Sequence, residues 1–261
     1  MILLTGSIVL YKNDIEILNE AVSSFLNSNG NFVLYLIDNS PTSDLKKHFN
    51  NKRIVYFHNP TNPGFGASHN IAIKESIKLG SEFHVVLNPD IYFEKGTLEK
   101  LLEFMNSNLN VGQVMPKVLS PNGTFQYLCK TNPTFFDLFA RGFLPNIFKQ
   151  LLRKRLDQYE YRNCDFNSII FDIPYLSGCF MFFRTNILIQ SGLFDDKIFM
   201  YLEDADITRR VLNVSRTAYY PFATIYHHYS GLTHKKLKYK WITIKSAFIY
   251  FNKWGWFKSL Y

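Results

Sequence analysis

At 261 residues and 47% hydrophobic content, the chain has the composition of a globular protein and is long enough to bury a sizeable core. Its formal net charge of +8 points to anionic partners, and its three scattered cysteines (Cys129, Cys164, Cys179) form neither a disulfide framework nor a metal-ligand spacing. No run approaches the ~18 apolar residues of a membrane-spanning helix. The opening MILLTGSIVLYKND lacks the basic start and unbroken apolar stretch of a secretory leader. The expectation is a soluble or peripheral protein of a reducing, cytosolic compartment, built as one domain without repeats or flexible linkers.

In chain order, Ser7–Tyr11 reads as a buried strand, and Lys12-Asn13-Asp14 as a turn in which Asn13 or Asp14 caps the next helix. That helix carries Ile17, Leu18, Ala21, Val22, Phe25 and Leu26 on one face and ends in a turn around Gly30. Phe32–Ile37 is a second strand closing on Asp38-Asn39-Ser40-Pro41. A short polar helix, Asp44–Phe49, leads to a third strand, Ile54–Phe57. Strands alternating with helices in this way predict a parallel sheet of right-handed crossovers. The segment Asn59–Asn70, NPTNPGFGASHN, holds Gly64 and Gly66, whose backbones tolerate conformations and close ligand approach that other residues resist. The spacing predicts a helix opening at Asn70 and closing at Gly80, so the glycine loop would feed a helix N-terminus suited to an anion. No Gly-Lys-Ser/Thr follows, so this is not a phosphate-loop motif.

Phe83–Phe93, FHVVLNPDIYF, is the most informative stretch. Its β-branched apolar run reads as a strand buried on both faces. Pro89 removes a backbone donor and restricts Asn88, so the ladder stops there and Asp90 stands just past the strand's carboxyl end. Ligands of open α/β sheets bind at that edge, and a carboxylate held there can carry a divalent metal. The competing interpretation is a plain turn, with Asp90 capping the following helix. Gly96–Met105 reads as an amphipathic helix and Val111–Leu119 as a further strand.

Phe135–Arg162 mixes aromatics with Arg141, Lys149, Arg153, Lys154 and Arg155, and reads either as a helical pair with a solvated basic face or as a surface meeting anionic lipid. Ile173–Arg184 is a strand interrupted by Ser177-Gly178, a small step that marks a bulge or a close ligand approach. Farther on, Glu203, Asp204 and Asp206 bring three carboxylates within four residues, a grouping that helix dipoles also favour without any catalytic role. Ala218–Tyr226 is a last strand, ending in His227-His228. These two neighbours point in different directions, so at most one serves a given metal, and either could be a surface imidazole. The tail interleaves lysines with Trp241, Trp254 and Trp256, the composition of an interfacial helix. A nucleic-acid patch is the alternative for such a tail, but no recognised nucleic-acid motif accompanies it.

Taken together and in order, SIVLYKND, LIDNS, NPGFGASHN, VVLNPD, YLSGCFMFFR, GLFDDKIFMYLEDADITRR and YHH resemble a family 2 inverting glycosyltransferase of GT-A fold. VVLNPD and FMYLEDADITRR are closest to the bacterial rhamnosyltransferase-like branch. The resemblance covers roughly residues 2–229. It implies an α/β fold with a Rossmann-like mixed, mostly parallel central sheet flanked by helices. The glycosyltransferase domain would span 1–231, with a nucleotide-sugar half to about 120 and an acceptor half beyond. A basic aromatic helical extension, 232–261, would associate with the membrane. By the same resemblance, Tyr11 and Asp38 line the nucleotide base, and Gly64, Gly66, Asn70 and Asn88 border the nucleotide-sugar. Asp90 with His227 or His228, His227 being favoured, holds Mg²⁺ or Mn²⁺. Asn88 stands where the family often has a first Asp, which leaves fewer negative ligands. Asp204 matches the catalytic base, with Glu203 as second choice, and Ser177-Gly178 leaves room for the acceptor. The implied donor is dTDP-rhamnose, with a UDP- or GDP-sugar as alternative. The implied acceptor is a polyprenyl-diphosphate-linked saccharide at the inner face of the cell membrane, in surface polysaccharide synthesis. A non-catalytic sugar-nucleotide-binding module and a sugar nucleotidyltransferase are the rival readings.

Overall fold

The computed structural model describes residues 3–143, 150–228 and 237–256. The expected boundary between residues 231 and 232 lies outside the described residues, as do the side chains of Arg141 and Lys149. The core of the chain is one nine-stranded sheet ordered β3-β2-β1-β4-β10-β6-β11-β5, with β8 added on β11. The first three strands are β1 (Leu4–Leu10), β2 (Phe32–Asp38) and β3 (Ile54–His58), all parallel. Between β1 and β2 runs α1 (Ile15–Leu26), capped by Asp14, whose carboxylate accepts from the amides of Glu16 and Ile17. The polar segment before β3 is a single 3₁₀ turn, Asp44–His48.

Helix α2 (Phe65–Lys78) starts five residues earlier than the spacing predicts. Gly64 at φ 109° stops the chain before it, and Asn70 lies inside the helix, where its side chain bonds across to residues 194 and 196. The expected central strand is β4 (Phe83–Leu87), buried at every position. Its side chains alternate between two cores, as a two-residue period requires. Val85 and Leu87 join Leu18 and Phe25 of α1 and Leu98 and Met105 of α3 (Thr97–Ser107). Val86 faces Ile73 of α2 and Ile207 and Val211 on the opposite side. The sheet is thus sandwiched between helices.

One expectation about strands needs correction. The stretch 173–184 is not one interrupted strand. It divides into β9 (Tyr175–Leu176), which pairs with β7 (Cys129–Lys130) in a separate two-stranded sheet, and β10 (Phe180–Arg184). The main sheet is mixed, as expected, because β10 runs antiparallel to both β4 and β6 (Val111–Leu119). β11 (Arg216–His227) runs parallel to β6, with a bulge between Tyr220 and Thr224. Pro221 lies in that bulge, where its missing N–H breaks no ladder bond. At the edge, β11 pairs antiparallel with β5 (Ile91–Tyr92) and with β8 (Ile170–Phe171).

These directions decide where the site lies. β1, β2, β4, β6 and β11 all end at one edge, and β10 begins there. Asp38, Asn88, Asp90, Gly178 and His227 therefore gather at that edge although they are far apart in sequence. Four further helices cover the remainder: α4 (Phe135–Phe143), α5 (Arg153–Tyr159), α6 (Thr185–Gln190) and α7 (Glu203–Leu212). The basic aromatic tail forms α8 (Leu237–Trp254), which packs onto the domain through buried Tyr250 and Phe251. Its Trp254 indole donates to Asp206 Oδ1 at 2.8 Å, Lys253 Nζ reaches the same oxygen at 2.8 Å, and Ser246 donates to the carbonyl of Met200 at 2.7 Å. No helix among the described residues is long and apolar enough to cross a membrane.

Candidate active site

The turn after β4 carries the first carboxylate. The amide of Asn88 donates to the carbonyl of Cys179 at 2.9 Å, and the amide of His228 donates to that of Asp90 at 2.9 Å. Strand pairing of His227 with Ile91 then brings its ring against Asp90, with Nε2 3.4 Å from Oδ1. That Oδ1 is buried and has no hydrogen-bond partner. His228 points elsewhere: its Nε2 lies 2.7 Å from Glu20 Oε2 and its ring against Tyr92. Of the two adjacent histidines, only His227 therefore shares a corner with Asp90, because alternate residues of a strand face opposite ways. Among the described residues, no group of three or more His, Cys, Asp or Glu side chains could hold a metal alone. The Asp90–His227 pair nonetheless suits a hard divalent cation, which takes few protein ligands when a diphosphate and water complete its shell. A buried carboxylate oxygen facing an imidazole nitrogen is a donor set that suits such a cation.

The second carboxylate comes from the start of α7. Asp204 is buried and held from three sides. Oδ2 accepts from the amide of Gly178 at 2.8 Å and from the Tyr175 hydroxyl at 3.2 Å, while Oδ1 accepts from the amide of Ala205 at 2.9 Å. A Cβ on Gly178 would stand 3.2 Å from Asp204 Cβ, so this glycine is what allows the close seat. The ammonium of Lys130 lies 4.7 Å above the Tyr175 ring. Glu203 is buried beside Asp204, and its Oε2 has no hydrogen-bond partner. Burial first, and the neighbouring Asp204 second, push its carboxyl well above the usual range, which favours the neutral acid. Two non-glycine residues with positive φ, Tyr201 (71°) and Leu202 (69°), immediately precede this pair. Backbone held in that region costs free energy and tends to occur at functional sites.

The turn 177–179 joins the two carboxylates. Cys179 contacts the Asn88 side of the edge through its carbonyl, and Gly178 holds Asp204 through its amide. Burial pushes the Cys179 thiol up to about 12, and the charges of Asp90 and Asp204 both add to that push. The small step read as room for an acceptor thus also links the seat of Asp204 to the Asn88 end of β4.

Several expected donor-side residues do different work. Tyr11 stands exposed at the end of β1, open to a ligand. Asp38 is fully buried, with one oxygen accepting from the Ser40 amide at 2.9 Å and the other from the Tyr56 hydroxyl. Burial and this bond to Asp38 raise the Tyr56 phenol above its usual range. The next residue, Asn39, was missed by sequence reasoning. Its amide nitrogen donates to Ser68 Oγ at 2.7 Å, while its buried Oδ1 has no partner and is the acceptor left over at this strand end. The only sequence signal was the Asp-Asn-Ser turn itself. The glycine loop is packed closely by the chain itself. A Cβ on Gly64 would stand 2.4 Å from the carbonyl oxygen of Phe199, and one on Gly66 2.8 Å from Phe194 Cβ, so the close approach is made by the chain's own loop. The first helix amide, Phe65, is spent on that same carbonyl at 2.8 Å. Asn70 clamps the loop from the other side: its side chain donates to Phe194 O and Asp196 Oδ1 and accepts from the Phe194 amide.

Comparison with known proteins bears on this geometry. A family model described as glycosyl transferase family 2 matches residues 7–190. An N-acetylglucosaminyl-diphospho-decaprenol L-rhamnosyltransferase of Mycobacterium tuberculosis is 25% identical over 145 residues, covering 55% of this chain and 46% of that protein. A low-salt glycan biosynthesis hexosyltransferase of Haloferax volcanii is 25% identical over 206 residues, 78% of this chain and 59% of that protein. The chain thus spans about half the length of the curated relatives it matches. Among solved structures, GalNAc-T7 with UDP, GalNAc and Mn²⁺ superposes with a TM-score of 0.65 at 14% identity, over 87% of this chain and 43% of that one. S. aureus TarS gives 0.60 at 18% identity, over 96% and 40%. At such identities the likeness establishes the fold, and the expected GT-A architecture is the one observed.

Proposed function

The chain belongs to glycosyl transferase family 2, and from that premise we propose that it transfers a sugar, with inversion, from a nucleotide-diphosphate donor to a saccharide hydroxyl. The observation that carries this reading is the turn 177–179, which ties the Asp90 corner to Asp204. In the proposed reaction the acceptor oxygen forms a bond to the anomeric carbon as the bond to the nucleoside diphosphate breaks. The hydroxyl proton passes to Asp204, whose carboxylate is the base. The Gly178 amide and the Tyr175 hydroxyl hold that carboxylate in place. Burial favours the neutral form of Glu203, which cannot take up a further proton. Asp90 and His227 would hold Mg²⁺ or Mn²⁺, which when bound would supply positive charge to the departing diphosphate. Tyr11 and the unpartnered Asn39 carbonyl line the end where a base would lie.

The preferred donor is dTDP-rhamnose and the preferred acceptor a polyprenyl-diphosphate-linked saccharide, a choice supported by the mycobacterial relative's name. A hexose donor is the second reading, supported by the longer match to the archaeal hexosyltransferase. The membrane-facing surface would be the outer side of α8 with exposed Trp241 and Phe248, continued by Phe135 and Phe136 of α4. Phe248 and Phe135 both pack on Trp256, so these residues form one patch.

The test is nucleoside-diphosphate release from dTDP-rhamnose, UDP-sugars and GDP-sugars in turn, with Mg²⁺, Mn²⁺ or EDTA. One donor should be hydrolysed slowly, and EDTA or Asp90→Ala should abolish it. Asp204→Ala should lower acceptor-dependent turnover about 10²- to 10⁴-fold while donor binding persists. Full turnover in Asp204→Ala would overturn the assignment of the base, and EDTA-resistant release would overturn that of the metal corner. For the membrane surface, Trp241→Ser with Phe248→Ser should abolish sedimentation with anionic liposomes. These point changes leave the docked face of α8 intact, which truncation would not.

A further inference from the structure

The ring of His227 can present Nε2 to a cation only if its proton sits on Nδ1, and one side chain decides that. Nδ1 lies 3.0 Å from Gln126 Oε1. The Gln126 amide cannot be turned the other way, because its Nε2 lies 3.0 Å from the carbonyl oxygen of His227, which only accepts. A second bond, from the same nitrogen to Ser120 Oγ at 3.0 Å, holds it further, and the Gln126 amide donates to Val118 O at 3.0 Å. The side chain therefore offers an oxygen to Nδ1 and obliges that nitrogen to donate. In the neutral ring Nε2 then carries the lone pair, directed toward Asp90 Oδ1 3.4 Å away.

We propose that Gln126 is a positioning residue that locks His227 in its Nδ1–H tautomer, so that Nε2 and Asp90 form a preformed two-point holder for a divalent cation. Outer partners that fix a ligating imidazole's tautomer typically change metal affinity by 10- to 100-fold. The inference rests on the metal corner of the proposed function. It adds a residue from the loop between β6 and β7 that belongs to none of the motifs read from the sequence.

The experiment uses wild type, Gln126→Leu, Gln126→Glu and His227→Ala. Nitrogen-15 long-range correlation spectra of the metal-free protein, at about pH 8 where an ordinary imidazole is neutral, read the tautomer. Titration with Mn²⁺, followed by the free ion's paramagnetic resonance, reads affinity without any turnover. Wild type should show the Nδ1–H form. Gln126→Leu should lose that preference and bind Mn²⁺ about 10- to 100-fold more weakly. Gln126→Glu, which keeps an oxygen for Nδ1 but sets its second oxygen against the carbonyl of His227, should retain the Nδ1–H form. An Nε2–H tautomer in wild type would overturn the proposal without recourse to any variant. Equal Mn²⁺ affinity in wild type and Gln126→Leu, with His227→Ala weakened, would overturn the role of Gln126 alone. Equal affinity in wild type and His227→Ala would overturn the metal corner itself.

Discussion

Acid should unfold this protein through two histidines in its core. Ser7 Oγ lies 2.7 Å from His69 Nδ1 and 2.8 Å from His84 Nε2, and Thr5 Oγ1 lies 2.8 Å from His84 Nδ1. Both rings are fully buried between β1, β4 and α2, and His69 Nε2 has no partner. Among the described residues, no carboxylate is bonded to either ring to stabilise its charged form. Burial lowers His84 to about 3, and burial together with the neighbouring His84 lowers His69 well below the usual value. A histidine lowered in this way is neutral in the fold and takes up a proton only on unfolding. Its contribution to stability is complete above the unfolded value near 6.5 and is lost as pH falls below it. At pH 5 the loss is about 1.5 units at about 1.36 kcal/mol each, or about 2 kcal/mol per ring and about 4 kcal/mol for both. Domains are commonly stable by only about 5–15 kcal/mol, so the change would be large. Glu203 works in the opposite direction, since a raised carboxyl regains stability as pH falls. The measurement is therefore a comparison of urea midpoints at pH 7.5, 6 and 5 for wild type, His69→Gln and His84→Gln. The Glu203 contribution is common to all three and cancels. Each variant should lose about 2 kcal/mol less than wild type between pH 7.5 and 5. Parallel curves for all three proteins would refute the reasoning.

Three further outcomes can be checked. Gly64→Ala should destabilise the fold by about 1–3 kcal/mol or more, since a non-glycine at φ 109° is strained and its Cβ meets the Phe199 carbonyl; thermal unfolding reads this. Gly178→Ala should move Asp204 by a few tenths of an ångström and lower kcat roughly 3- to 10-fold with little change in donor binding or melting temperature. Trp254→Ala removes both the bond to Asp206 and the stack under Arg209, whose guanidinium lies 4.0 Å from the indole. It should lower stability by about 1–3 kcal/mol and increase hydrogen exchange in α7, the helix that carries Asp204.

Much of the fold was legible because its signals are local. The all-apolar run of β4, the proline that ends it and the one-face pattern of α1 each arise within a dozen residues. The Val111–Leu119 strand was read to the residue. The start of α2 was misplaced because Gly64 marks it through its conformation, whereas Asn70 resembles a cap in sequence and acts as a clamp in space. The stretch 173–184 read as one strand because its apolar pattern is continuous. Only the choice of partners, β7 for one half and β4 with β6 for the other, divides it.

The sequence by itself determined which chemical groups were available and in what order: a carboxylate after a proline-stopped strand, an acidic pair at a helix start, and two adjacent histidines at a strand end. Tertiary structure alone decided how they are used. It chose His227 over His228 by the face each takes in β11, and buried Asp38 under Tyr56 while leaving the Asn39 carbonyl without a partner. It also gave Gly64 and Asn70 to the chain's own loop, through contacts between residues as much as 135 positions apart, from Gly64 to Phe199. The physical reason is range. Propensity and periodicity act between near neighbours in sequence. The orientation of a side chain and the partner left for it depend on strands and loops that meet only once the sheet has formed.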